Sequence, residues 1–419
     1  MRSVVLLALF ASSAFSQIPS PPKWDTFRFT GEITSRQEAR TGVTFGEDPE
    51  QVNPLIRTRL GAEWTPKPWI KLVGLAQDGR APLYGGPTPG TARDTLDLQE
   101  GYLELFPNHK LGFGATIGRQ MVTYGESRLI GAPQWINTTR TWDTARLHYN
   151  SPKAKLELVF LSVVKIQPDS FNKPVLGDRI WGTYNAFPGL IPEGLVEAYV
   201  LRHDQNRPGG FTGVGRLGTN TFGGRALGPL PLGLRYSIET AVQGGHVGPL
   251  KHRAGAWYSR VSRKVKLRWP TNLSVEYKYA SGTKDPQGNR SGTFDQFYPA
   301  NHDKFGHVDL FGWRNIHNLR SHDTFELGKG LILNFMYDNL WLASPKDALY
   351  NGPGRPISQA AQGNAGTHIG HELDWFVTYK CDGFQFGAGF GHFFAGEFVR
   401  KTTPGVNPRF LYIFQSYSF

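Results

Sequence analysis

Apolar and polar residues alternate with a period of two in many segments of the chain, and residues typical of turns separate these segments. The clearest segment sets one face against the other as Leu273, Val275, Tyr277 and Tyr279 against Ser274, Glu276 and Lys278. The same alternation occurs near residues 27–33, 56–64, 155–166, 234–243 and 369–380. Successive side chains of a β-strand point to opposite faces, so the pattern predicts strands with one apolar and one polar face.

Weaker alternation adds further strands near residues 69–77, 98–105, 111–119, 194–202, 331–342 and 383–393. With about 22 residues for each strand and its connection, the chain has room for roughly eighteen strands, an even number. Three stretches alternate poorly, at 120–143, 281–314 and 343–366. We expect these stretches to be long loops that lie at the surface or fold into the interior of the protein.

The polar face decides between a soluble sandwich and a membrane barrel. It carries charges of both signs at the middle of several strands, which suits the lumen of a transmembrane barrel. The final segment spaces its apolar residues by two, with Gln415 as the interruption, as Leu411, Ile413, Tyr417 and Phe419. This ending resembles the strand signal by which outer-membrane barrels reach their assembly machinery. We therefore predict an all-β fold, a single-chain antiparallel transmembrane β-barrel of about eighteen strands over residues 17–419, with long loops partly filling or covering the lumen.

The first sixteen residues have the pattern of a secretory signal peptide. Arg2 precedes an apolar run over residues 4–11, and the small residues Ser12 to Ser16 follow it. The run is shorter than the ~20 apolar residues that a spanning helix needs. We expect cleavage after Ser16, and because Gln17 rather than Cys follows, no lipid would be attached to the new amino terminus.

The balance of charged residues adds to this prediction. The chain carries 46 Lys and Arg against 34 Asp and Glu, a net charge of +12, which falls to +11 if the signal peptide and its Arg2 are removed. Such a charge suits anionic partners, among them the phosphates of lipopolysaccharide. Secretion and the lack of a polybasic run argue against nucleic acid. The single cysteine, Cys381, cannot form an intrachain disulfide.

Three stretches of the chain together resemble the alginate-export family of outer-membrane barrels. They lie at residues 118–143, 279–315 and 370–398, and their motifs include Gly118-Arg119-Gln120, Gly292-Thr293-Phe294-Asp295-Gln296 and Gly370-His371-Glu372-Leu373-Asp374. The resemblance implies an eighteen-strand barrel in the bacterial outer membrane whose lumen has an arginine-rich constriction. It also implies passage of an acidic sugar polymer or its fragments, an alginate-like polyuronate, through a protein that is not an enzyme.

Arginine suits such a passenger because its planar guanidinium binds a carboxylate through two parallel hydrogen bonds and stays charged. Rings of basic side chains are a common means of anion selection in pores. The basic candidates for the pore lining are Arg57, Arg59, Arg119, Arg128, Arg140, Arg146 and Arg235. We expect three acidic residues, Asp143, Glu372 and Asp374, to hold these arginines in place.

Other interpretations remain open at the level of sequence. The barrel could be an anion-selective uptake porin for small acidic solutes. A secreted β-rich carbohydrate-active enzyme is less favoured, because the chain has neither a Gly-x-Ser-x-Gly nucleophile motif nor a convincing catalytic triad. No cofactor is expected, although Asp295, Asp303 and Asp309 could offer oxygen ligands to a loop Ca²⁺. We expect a detergent-soluble monomer.

Overall fold

The computed structural model describes residues 26–48, 50–84, 88–107, 110–206, 215–302 and 304–419. The expected signal peptide, residues 1–16, lies outside these ranges. No helix in the described part of the chain has the length and apolar character that crossing a membrane would need.

Strands dominate the described residues. In chain order they are β1 Thr26–Thr41, β2 Gln51–Lys67, β3 Ile70–Arg80, β4 Asp94–Leu105, β5 Gly112–Gln120, β6 Trp142–Asn150, β7 Lys155–Lys165, β8 Lys173–Pro188, β9 Leu195–Gln205, β10 Leu217–Leu230, β11 Leu234–Val247, β12 Leu250–Lys266, β13 Pro270–Ala280, β14 Arg290–Ser291, β15 Ile316–Gly328, β16 Leu331–Leu342, β17 Leu349–Tyr350, β18 Pro356–Ser358, β19 His368–Cys381, β20 Phe384–Ala395 and β21 Arg409–Ser418. A helix, α1, spans Glu397–Thr402, and a 3₁₀ turn spans Pro231–Gly233.

Eighteen of these strands form a closed antiparallel barrel. Each barrel strand pairs with the next along the chain, and the circle closes where β1 pairs with β21. At this seam Ala39 lies opposite Leu411, and the backbones of Gly31 and Phe419 exchange two hydrogen bonds of 3.1 Å. The short β14 pairs in parallel with β12, and β17 and β18 form a separate hairpin. The predicted fold class and strand number are therefore confirmed.

The two ends of the barrel differ in the length of their connections. Turns such as 68–69, 151–154, 329–330 and 382–383 close one end, whereas the long loops 121–141, 281–315 and 343–367 emerge at the other. Outer-membrane barrels have short periplasmic turns and long extracellular loops, so the short-turn end is the periplasmic end. The three loops lie close to the sequence predictions of 120–143, 281–314 and 343–366.

The outer face of the wall is apolar. Leu60 and Ile117 are each 60% exposed and Val275 is 58% exposed, although their neighbours along each strand are largely buried. Near the periplasmic end this face carries aromatic pairs, such as Phe27 with Trp64, at 5.4 Å between ring centroids. An apolar band flanked by aromatic residues is the surface that a barrel presents to lipid.

The long loops fold into the barrel and give it a packed interior. Leu129, Ile130, Phe294 and Phe311 from the loops are all at most 5% exposed. Loops 121–141 and 281–315 also meet directly, through an isolated bridge between Ile130 and Tyr298. The packed core of the protein therefore lies inside the barrel. There, polar side chains of the loops face polar side chains of the wall.

Candidate functional site

Loop 121–141 is anchored to the wall by two of the predicted arginines. On the inner face of β2, Arg57 donates to the carbonyl of Gln134 at 2.9 Å and pairs with Glu32 at 2.7 Å. Arg59 donates to the Gln134 amide oxygen at 2.9 Å and to the Thr139 hydroxyl at 2.5 Å. Both guanidinium groups are buried. Their visible role is to hold the loop, because most of their hydrogen bonds are made with it.

Arg140 joins loop 121–141 to loop 281–315. Its Nη1 donates to the carbonyls of Gly131, Tyr298 and Pro299 at 3.2, 2.9 and 3.1 Å. Burial lowers the pKa of Arg140 to about 10, although Tyr298 and Asp178 oppose that change. The side chain therefore satisfies loop carbonyls that would otherwise lack donors in the interior.

Glu126, also in loop 121–141, lies among three guanidinium groups. Its carboxylate is 3.1 Å from Arg225, 3.2 Å from Arg128 and 3.4 Å from Arg260. Burial would raise the pKa of Glu126, but the charges of Arg260, Arg128 and Arg225 outweigh it and hold that pKa well below its usual value. Arg128 also lies 3.4 Å from the centre of the Tyr258 ring. This cluster fixes the loop against β10 and β12.

A further basic side chain in this region of the lumen is Arg146, on the inner face of β6. It binds Glu157 through two hydrogen bonds of 2.8 Å, and the Tyr124 hydroxyl donates to the same carboxylate. The side chains of Arg146, Arg225 and Arg260 are 17%, 11% and 29% exposed, compared with 7–8% for Arg57 and Arg59. These three side chains are thus more accessible than Arg57 and Arg59, and also more accessible than Arg128 of the same cluster, which is 4% exposed. We name Arg146, Arg225 and Arg260 the arginine row.

Two predicted pore residues lie elsewhere. Arg119 and Asp143 form an ion pair of 2.8 Å between β5 and β6. Asp143 alternates with the buried Trp142 and shares its face with Leu147, which is 58% exposed. Strand alternation therefore puts the pair on the outer face of the wall, which differs from the expectation that both residues line the pore. The sequence held a sign of this placement, because the apolar residues Phe113 and Ile117 alternate in phase with Arg119.

The two predicted acids on β19 contact loop backbone. Glu372 accepts a hydrogen bond from the Val308 N–H at 2.9 Å, and Asp374 accepts one from the His307 N–H at 3.2 Å. Gly306 allows this close approach, since a Cβ at that position would lie 2.2 Å from the Glu372 carboxylate. These acids were expected to orient arginines, and the contacts seen here instead hold loop 281–315.

Asp295 anchors the other part of loop 281–315. Its carboxylate is 2.7 Å from His203 Nδ1 on β9 and 3.4 Å from Arg314, and it accepts a hydrogen bond from Thr219 at 3.1 Å. Burial opposes ionisation, yet the charge and hydrogen bond of His203, together with Arg314, hold the pKa of Asp295 below its usual value. This ionised carboxylate ties the loop to β9 and β10.

Among the described residues, the candidate calcium ligands do not form a coordination site. Asp295 binds His203, Asp309 binds His302 at 2.7 Å, and Asp303 lies outside the described residues. Within the described ranges, no group of three or more His, Cys, Asp and Glu side chains is placed to hold a metal ion.

Arg235 lies at the periplasmic mouth, where it is exposed and donates to the Glu193 carbonyl at 3.1 Å. Sequence reasoning missed Arg225 and Arg260, two of the three members of the arginine row. Arg260 follows a readable alternation, with Trp257 and Val261 on the outer face of β12. Arg225 follows Gly223 and Gly224, which carry no side chain that could reveal the face.

Docking of loop 281–315 should depend on pH through His307. Its buried ring stacks on Phe376 at 4.4 Å and lies 4.6 Å from the ring of His302. Burial, and then the charges of His302 and Arg320, hold the pKa of His307 well below its usual value. The docked loop therefore needs a neutral His307: docking is strongest above the ordinary pKa of about 6.5 and weakens as pH falls below it, by up to about tenfold per pH unit.

This dependence can be measured as single-channel conductance during acidification. The variant His307→Phe keeps a ring that can stack and should flatten the response to pH. His246→Phe, which removes an exposed histidine on the outer face of β11, serves as the control and should respond like the unmodified protein. An equal acid response in both variants would exclude His307 as the sensor.

Comparison with known proteins agrees with this architecture. The family model described as alginate export matches residues 55–412. Among solved structures, Pseudomonas aeruginosa OccD3 (OpdP) superposes with a TM-score of 0.65 at 12% identity, over 97% of each chain. Pseudomonas aeruginosa OpdK crystallised with vanillate gives a TM-score of 0.62 at 10% identity, over 93% of this chain and 98% of that one. No curated protein matches.

These comparisons point to a channel rather than an enzyme. The structural likeness, at 10–12% identity, shows the shared barrel fold. The family assignment rests on the match over residues 55–412, which covers most of the barrel and includes all three long lumen loops. The chain therefore belongs to the alginate-export family of bacterial outer-membrane β-barrels.

Proposed function

We propose that the barrel passes an anionic polysaccharide or oligosaccharide, an alginate-like polyuronate, along the arginine row. The observation that carries this proposal is the exposure of Arg146, Arg225 and Arg260 inside the lumen, on the side away from the anchors of β1 and β2. A carboxylate that enters a narrow pore loses hydration, and partly accessible guanidinium groups can replace it. The family's description, alginate export, supports the same class of solute.

The periplasmic mouth adds to this support. On β11 and β12, the inner-face positions nearest that end are Arg235, Ser237, Ser262, Lys264 and Lys266. They include three basic residues and no acidic one, and Arg235, Lys264 and Lys266 are exposed. A fixed positive charge at a pore entrance raises the local concentration of anions. A polyuronate that arrives from the periplasm would meet these residues before the arginine row.

The predicted residues inside the barrel then divide into two roles, and a third group lies outside it. In this proposal Arg146 and Arg235 contact the solute, together with Arg225 and Arg260. The remaining inner residues, which position the loops that shape the path, are Arg57, Arg59, Arg128, Arg140, Glu372 and Asp374. The Arg119 and Asp143 pair would belong to the outer wall.

Current blockade in a planar bilayer tests the proposal. Purified barrel should show concentration-dependent blockade by a defined oligouronate added on the short-turn side. A neutral oligosaccharide of equal length should give at least about tenfold weaker blockade, because it lacks the carboxylates that basic side chains bind. Equal blockade by the charged and neutral oligomers would contradict a route selected by charge.

The runner-up function is uptake of small acidic solutes. It is favoured by the OpdK structure with vanillate, since vanillate is a small carboxylate and that barrel shares this fold. The same bilayer experiment separates the two functions. Selective permeation of a small aromatic carboxylate, with no binding of oligouronate, would favour the uptake porin.

A further inference from the structure

A hollow of about 800 Å³ lies on the outer side of the barrel at its extracellular rim. Its floor includes Phe222 and Val242, which are 53% and 57% exposed on the outer face of β10 and β11. Gly244 and Gly255 deepen the floor: at Gly244 a side chain would meet no atom within 4 Å. The hollow thus lies along the outer face of the wall, and Gln243 and Ala254, which also line it, alternate with these outer positions on β11 and β12.

Basic side chains surround this apolar floor. Arg253 on β12, Lys284 in the adjacent loop and Arg290 on β14 line the hollow, and all three are exposed. The loop stays next to the wall because β14 pairs with β12 at Lys251 and His252. Asp285 also lines the hollow, and one of its oxygens accepts a hydrogen bond from the Gln287 N–H at 3.2 Å. The net charge of these four side chains is therefore positive.

The position along β12 indicates what surrounds the hollow. Trp257, on the outer face, is 40% exposed, and Arg253 lies four residues nearer the extracellular end of the same strand. At about 3.3 Å per residue this is roughly 13 Å along the strand, or about 10 Å along the membrane normal for a strand tilted by about 40°, which takes Arg253 from the level of an interfacial aromatic residue to that of lipid headgroups. An occupant would then have its apolar part on Phe222 and Val242 and its anionic part among the three basic residues.

We propose that this hollow, which we name the rim groove, binds a phosphorylated glycolipid of the outer leaflet, lipid A. Its phosphates would be held by Arg253, Lys284 and Arg290, and an acyl chain would lie over Gly244 and Gly255. Arginine and lysine are the usual partners of phosphate groups, and the combination with an apolar floor distinguishes the groove from a site for free phosphate. The site is independent of the solute path, since the groove lies along the outer face of the wall.

Native mass spectrometry of the intact barrel with added lipid A tests this proposal. We expect a one-to-one adduct with the unmodified protein, and at least a tenfold loss of it in Arg253→Glu/Arg290→Glu. The control Lys346→Glu/Arg355→Glu changes the charge by the same amount at two residues of loop 343–367, away from the groove. It should keep the adduct. An equal loss of the adduct in both variants would mean that overall charge causes the loss, and it would overturn the proposed site.

A second variant tests the apolar floor without a change of charge. Gly244→Leu has open space at its Cβ, so it should place an alkyl side chain in the groove and displace the lipid, while Gly74→Leu, at an equally open glycine of β3, should not displace it. Phosphatidylglycerol and dephosphorylated lipid A serve as competing probes. Binding of phosphatidylglycerol as strong as that of lipid A, or undiminished lipid A binding by Gly244→Leu, would overturn the proposal.

Discussion

Asp295→Ala should release loop 281–315 from the interior and produce a large rise in single-channel conductance. The substitution removes the carboxylate that binds His203 at 2.7 Å and Arg314 at 3.4 Å, and both basic groups are buried. Removal of one partner from a buried ion pair costs about 3–5 kcal/mol. The docked state of the loop should therefore lose at least about two orders of magnitude in relative population.

The matched control lies in the same loop. Asp285→Ala makes the same chemical change at an exposed acid, whose side chain accepts a hydrogen bond from Gln287 within its own turn. It should leave conductance unchanged. Gel mobility of folded against boiled protein checks that both barrels remain assembled. If Asp295→Ala keeps the unmodified conductance in an assembled barrel, loop 281–315 does not limit the path.

Arg260→Gln should reduce the preference of the channel for anions. The Arg260 side chain is 29% exposed, the most accessible member of the arginine row. At an effective dielectric constant of about 20, a charge about 8–10 Å from a passing small anion contributes roughly 2 kcal/mol before screening. With screening by salt, we expect the anion-to-cation permeability ratio to fall by up to about tenfold. Glu126 keeps its contacts with Arg128 and Arg225, so the loop should stay docked.

Reversal potentials in a salt gradient report this change directly. Arg263→Gln is the control, because Arg263 lies on the same strand but on the outer face with Val261. It removes the same charge without facing the lumen, so selectivity should not change. If both variants alter selectivity equally, the effect would come from overall charge. Unaltered selectivity in Arg260→Gln would remove the arginine row from the proposed path.

The local alternation of apolar and polar residues was sufficient to predict the strands that form the barrel wall. The period of two fixes which residues of a strand share a face, as in Leu273, Val275 and Tyr277, and this holds whatever the strand pairs with. The strand count and the three long loops followed from the same signal, because turn residues and poor alternation mark where strands end. The strands with many glycines, such as β10, were harder to assign, since glycine belongs to neither class.

The alternation of apolar and polar residues could not show which partner each polar side chain contacts. Arg119 and Arg57 have the same chemistry, yet one lies on the outer face and the other holds a loop in the lumen. Glu372 and Asp374 were recognisable as inner-face acids, but their partners, the N–H groups of Val308 and His307, are more than sixty residues away in sequence.

The sequence by itself therefore determined the barrel, its approximate strand number, the position of the long loops and the resemblance to one family. Tertiary structure alone decided which arginines are anchors and which remain accessible. The physical reason is that strand alternation is a local property of the backbone, whereas the surroundings of Glu126 or Asp295 depend on where a loop of 21 or 35 residues comes to rest inside the closed wall. That position is set by contacts between distant parts of the chain, such as Arg140 with Tyr298, which no short stretch of sequence contains.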